Sequence, residues 1–170
     1  IAPLWSLDLQ PGDEEGTTPF TFIATTNAIM IAGGTPVFVD ISEEDYLIDA
    51  FKIEQAITEK TKAIIPVHLY GRACKMDYIM EIAEKHNLIV IEDTAQAFGA
   101  TYNEKMLGTI GDAGTFFFYK TKNISTFEGG MITIPKHSKL DSGKIRAITD
   151  QGQTGKYHHE YIGFNFRLAE

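Results

Sequence analysis

Short apolar runs closed by turn residues alternate along this chain with stretches whose apolar positions recur at helical spacing, the pattern of an α/β unit with a largely parallel sheet. Buried strands are predicted at 35–40 (Thr-Pro-Val-Phe-Val-Asp), 62–67 (Lys-Ala-Ile-Ile-Pro-Val) and 88–92 (Leu-Ile-Val-Ile-Glu). Between them, 49–57 and 76–86 read as crossover helices, the second placing Met76, Ile79, Met80 and Ala83 on one face. Upstream, 22–32 reads as a helix ended by Gly33-Gly34, with Pro36 blocking continuation. Downstream the pattern changes to short strands at 114–119 and 131–134 around a polar loop, then a basic helical stretch over 138–148. There is no internal repeat or low-complexity segment.

Composition narrows the class. At 170 residues and 44% hydrophobic content the chain can bury one ordinary core, so one folded unit over 1–170 is expected. Cys74 is the single cysteine and no Cys/His cluster has zinc spacing, which suits a reducing, cytoplasmic setting and no metal. No apolar run is long enough to span a bilayer, and a net charge of -8 without like-charge blocks argues against nucleic acid and anionic membranes as partners.

In open α/β sheets ligands gather beyond the carboxyl ends of the strands, which singles out His68 and Asp93. Glu92 and Asp93 end a strand that is buried on both faces, where a carboxylate is costly unless it meets a cation or several donors. Local sequence leaves two readings open for Asp93: a cap on the turn at Thr94-Ala95, or a partner for a cationic ligand group. Lys122, in Tyr119-Lys120-Thr121-Lys122-Asn123, is either a solvated surface charge or a desolvated amine able to condense with an aldehyde; Lys120 shares the argument. Gly129-Gly130 and Gly108-Thr109-Ile110-Gly111 could bring backbone close to a ligand, or simply turn the chain. Neither fits a phosphate-loop or dinucleotide motif, which disfavours nucleotide hydrolysis and dinucleotide redox chemistry. His137 and His158-His159 have no partner at metal spacing and read as surface or interface residues.

An ordered set of stretches resembles the DegT-type (StrS-like) sugar aminotransferases. They are Pro11-Gly12-Asp13-Glu14, Pro19 to Thr25, Thr35 to Asp40, Pro66-Val67-His68-Leu69-Tyr70-Gly71, Glu92 to Ala100, Thr121-Lys122-Asn123, Glu128-Gly129-Gly130 and Gly163-Phe164-Asn165-Phe166-Arg167. The resemblance implies a three-layer, mainly parallel sheet with flanking helices, like the large domain of fold-type I pyridoxal-phosphate (PLP) enzymes. It begins after the family's Gly-Thr phosphate loop and stops before the small C-terminal domain, so the chain is expected to cover most of the large domain without its flanks.

The roles implied are these. Lys122 matches the Schiff-base lysine, Asp93 the carboxylate on the pyridine nitrogen, and Gln96 the partner of the ring's phenolic oxygen. Phe22 matches an aromatic stacked on the ring, and Asn165 a residue reaching the cofactor phosphate of a neighbouring subunit, which implies a homodimer with shared sites. His68 is a further candidate for substrate contact. The implied reaction moves an amino group from an amino acid, usually glutamate, to a nucleotide-linked keto sugar; the alternatives are the family's keto-deoxysugar dehydratases, which carry His in place of the lysine, or a non-catalytic fragment. Three positions depart from the pattern: Phe117 stands where relatives have a phosphate-binding Ser, leaving Thr115 or Thr121 to compensate, Lys120 stands where many have Pro, and Glu15-Gly16 replaces an apolar pair expected to continue a strand.

Overall fold

The computed structural model of the chain describes residues 1–166. In chain order the elements are α1 (Ala2–Trp5), β1 (Glu14–Thr17), α2 (Ala24–Ile31), β2 (Thr35–Phe38), α3 (Ala50–Ile53, continued by a 3-10 turn at Glu54–Ala56), β3 (Thr61–Ile64), α4 (Met76–Lys85), β4 (Ile89–Asp93), β5 (Thr101–Tyr102), β6 (Lys105–Met106), β7 (Ala113–Phe117), β8 (Gly130–Thr133), α5 (Ser142–Thr149), β9 (Gln153–Gly155) and β10 (His158–His159). Six strands make one sheet in the order β2-β1-β3-β4-β7-β8; only β8 runs antiparallel, against β7.

The sheet is buried on both faces, which is why its strands read as continuous apolar runs. Alternation sends Ile64 and Val90 to one side, where they pack with Ile53, Met76, Ile79 and Leu88 of the α3–α4 layer. Ile65 and Ile91 go to the other side, against Leu4, Ile29, Ile145 and Ile148 of α1, α2 and α5. This is the expected three-layer, mainly parallel architecture.

The expected helices and strands form with trimmed ends. The 49–57 segment yields less α-helix than expected: Asp49 caps α3 by accepting the Phe51 N–H, and the helix tightens into 3-10 geometry within two turns. Pro36 is accommodated because β2 lies at the sheet edge. The strand that patterning could not give is β1. Glu14-Glu15-Gly16-Thr17 has poor strand propensity, yet it lies between β2 and β3 and is completed by their ladders. Parallel strand direction places the ends of β1, β3, β4 and β7 on one edge of the sheet, and the candidate residues Phe22, His68, Asp93, Gln96 and Lys122 all follow those ends. Arg167, in the last matching stretch, lies outside the described residues.

Candidate active site

Asp93 is the last residue of β4 and is fixed through backbone and side chain together. Its N–H donates to Pro66 O at 2.9 Å, and its carbonyl accepts from His68 N at 3.0 Å. Thr25, in the first turn of α2, donates its hydroxyl to Oδ2 at 2.8 Å; the Ala95 N–H donates to Oδ1 at 3.1 Å. The turn-capping reading of Asp93 is therefore realised by one oxygen. Two donors do not saturate a carboxylate, so lone pairs remain for a further donor. Asp93, Thr25, Thr115, Ile65 and Ile91 line a cavity of about 150 Å³.

Gln96 lies three residues beyond Asp93, and its Oε1 accepts the Tyr70 N–H at 3.0 Å. Phe22, 68% exposed, precedes the turn of α2 that delivers Thr25, so one segment supplies an open aromatic face and a partner for Asp93. Lys122 is half-buried in the loop after β7, where its Nζ stands 5.9 Å from the centroid of the Phe117 ring and makes no ion pair among the described residues. Lys120 is exposed and lies over Tyr119. Asp93 pairs with Thr115 across the β4–β7 ladder, so the Lys122 loop leaves the sheet on the edge where Asp93 sits. Of the two threonines named to compensate for Phe117, Thr115 lines the cavity beside Asp93 but already donates its hydroxyl to Glu92 O at 3.1 Å, whereas Thr121 is exposed. Asn165 is exposed and forms an antiparallel bridge with Asp150 after α5.

His68 departs from expectation. It is 0% exposed, Nδ1 accepts the Cys74 N–H at 3.1 Å, and Nε2 therefore carries the proton and donates to Glu92 Oε2 at 3.0 Å. With both nitrogens occupied and the ring sealed, His68 holds the loop after β3 in place instead of meeting substrate.

Patterning also missed its partner. Glu92 and Asp93 are adjacent on a strand and so face opposite sides. Besides His68, Glu92 accepts the N–H groups of Gly108, Ile110 and Gly111, each at 2.8 Å. Burial alone would raise its pKa, but the His68 hydrogen bond and the Gly111 and Gly108 N–H groups outweigh it and hold the carboxyl below its ordinary value. The Gly108–Gly111 loop is thus an internal anchor for Glu92. Glycine is needed at 108 and 111 because a Cβ there would run into Phe116 and into Val90, respectively. The sequence signal was the glycine pair itself, whose spacing brings three N–H groups onto one carboxylate.

The profile of the DegT/DnrJ/EryC1/StrS aminotransferase family matches residues 2–170. The chain belongs to that family. Among similar members, the pleiotropic regulatory protein of Geobacillus stearothermophilus is 49% identical over 94% of this chain and 43% of its own length. The UDP-N-acetyl-3-dehydro-alpha-D-glucosamine 3-aminotransferase of Acidithiobacillus ferrooxidans is 45% identical over 98% of this chain and 45% of its own. The Streptococcus pneumoniae protein Spr1654, solved in its PLP-form, superposes with a TM-score of 0.83 at 33% identity, over 94% of this chain and 46% of its own. The chain thus spans a little under half the length of each of these three relatives, and the solved one has the same α/β architecture. No helix among the described residues is long and apolar enough to cross a membrane, and no group of three His, Cys, Asp or Glu among them could hold a metal ion.

Proposed function

We propose that this chain is most of the large, cofactor-binding domain of a PLP-dependent aminotransferase that moves the amino group of an amino acid, glutamate by resemblance, to a keto sugar carried on a nucleotide. The observation that carries the reading is Asp93. A carboxylate oriented by Thr25 and Ala95 at the end of a buried strand, with lone pairs left over and a cavity beside it, suits a protonated pyridine nitrogen. The ring side of the cofactor therefore fits the residues present, whereas Phe117 offers its phosphate no donor.

PLP, when bound, supplies an electron sink for the pair left as the Cα–H bond of the amino donor breaks. Asp93 keeps the proton on the pyridine nitrogen. Gln96 would donate its amide N–H to the phenolic oxygen, and Phe22 would offer its exposed ring to the cofactor. Lys122 Nζ would hold the cofactor and would serve as the base that moves the proton at the substrate carbon. The presence of Lys122, where the dehydratase branch carries His, favours amino transfer. Asn165 is assigned to the cofactor phosphate of a second subunit, which makes the working unit a homodimer with shared sites; its exposure supports that role. The buried, free Cys74 supports a cytoplasmic setting.

Incubation with PLP, reduction by borohydride and peptide mass spectrometry test the assignment. The adduct is expected on Lys122, lost in Lys122→Ala and retained in Lys120→Ala. An adduct confined to Lys120 would move the covalent role there, and no specific adduct would sink the enzyme reading.

A further inference from the structure

Gln96 is held from one side. A main-chain N–H can only donate, so the Tyr70 N–H fixes Oε1 on its own side and leaves the Nε2 donors on the other. Among the described residues Nε2 has no protein acceptor. The donor comes from an uncommon backbone: Tyr70 and Gly71 both have positive φ, 55° and 80°. Tyr70 is 74% exposed, so burial of its ring does not explain why a tyrosine sits in a left-handed conformation. The turn is instead pinned at its base. His68 bonds Glu92 through Nε2 and the Cys74 N–H through Nδ1, and its own N–H reaches Asp93 O. One strand, β4, thereby carries Asp93 and anchors the turn that grips Gln96.

We propose that the left-handed Tyr70–Gly71 turn is a positioning element for the cofactor: by engaging Gln96 Oε1 with a main-chain N–H, it keeps the amide nitrogen turned to the phenolic oxygen of PLP. This rests on the reading above that Gln96 meets that oxygen. A donor on the phenolic oxygen stabilises its anion, so loss of the donor raises the pH at which the visible band of bound PLP titrates.

The experiment compares the parent chain, Gly71→Val, Gln96→Ala and the double variant, each loaded with PLP, by the pH midpoint of that band and by PLP affinity. Gly71→Val forces a β-branched residue into positive φ and opens the turn. Each single variant is expected to raise the midpoint by about one unit and weaken PLP roughly tenfold. The double variant should go no further than Gln96→Ala alone, because the turn acts through Gln96. A midpoint in Gly71→Val equal to the parent's, or a full shift added on top of Gln96→Ala, overturns the inference while leaving the aminotransferase reading intact. A parent that gives no visible band with PLP removes both. If circular dichroism shows Gly71→Val unfolded, Gly71→Ala replaces it: its Cβ meets Gln96 O at an ordinary 3.5 Å, and a smaller shift in the same direction is expected.

Discussion

Two glutamates of the same sheet, both 0% exposed, have opposite surroundings. Glu92 on β4 accepts four hydrogen bonds, from His68, Gly108, Ile110 and Gly111. Neither oxygen of Glu15, on β1, has a hydrogen-bond partner among the described residues. Its flanking residues on β2 and β3 are Pro36 and Ala63, and the nearby Thr35 N–H donates to Asp13 O at 2.8 Å. Burial, with the Asp13 charge adding to it, pushes the Glu15 carboxyl up to about 7, whereas the donors around Glu92 hold that carboxyl low. Burial by itself thus does not decide what a carboxylate contributes. The donors do, and β4 has them because its neighbouring loop carries glycines that let three N–H groups converge. Around Glu15 no loop converges in that way: the charges of Asp13 and Glu14 oppose its ionisation, and the Gly34 backbone lies so close that a Cβ there would overlap the Glu15 carboxylate.

The largest expected effect is at Glu92. Glu92→Ala strands four donors in the interior and should cost about 3–5 kcal/mol in urea unfolding; a loss below about 1 kcal/mol would break the comparison from its stabilising side. Next comes pH. The folded pKa of Glu15 is raised above the ordinary 4.5, so the stability linked to it is full below 4.5 and is lost as pH climbs towards 7, by about 3 kcal/mol. Glu92 has the opposite sign: its contribution is present above its ordinary value and is lost as pH falls through its lowered one. Unfolding midpoints followed across pH should therefore decline on both sides, and Glu15→Gln should flatten the decline between pH 4.5 and about 7 while leaving the acid side. A parent curve flat over that interval would mean Glu15 finds a partner after all. The smallest effect sharpens the local packing: Gly34→Ala should cost about 2 kcal/mol in the parent and almost nothing beside Glu15→Val, because valine removes the carboxylate that occupies the Cβ position. Equal costs in both backgrounds would show that the two residues are not coupled.

Much of this arrangement was legible in the residues. The apolar runs at 62–67 and 88–92 gave β3 and β4, the periodicity of Met76, Ile79 and Ala83 gave α4, and the position of Asp93 after a buried run marked the edge where ligands collect. His68 was marked by the same rule and turned out sealed, since position after a strand says nothing about which way a ring turns. Glu92 was noticed as a charge and not as an anchor, because its donors come from positions 108, 110 and 111, which are remote in sequence. β1 was expected at Glu15-Gly16 only from the family resemblance and was hidden from hydrophobic patterning for a related reason. Two glutamates, a glycine and a threonine form a strand only because β2 and β3 offer ladders on both sides.

By itself, then, the sequence determined the α/β class and the order of the longer apolar strands and the helices between them, because hydrophobic period and turn chemistry are local properties of the chain. Tertiary structure alone decided that Thr25 meets Asp93, that Tyr70 holds Gln96, and that Glu92 is satisfied where Glu15 is not. Each of those outcomes depends on hydrogen-bonding groups brought together from distant segments, and no local pattern records which of them will converge.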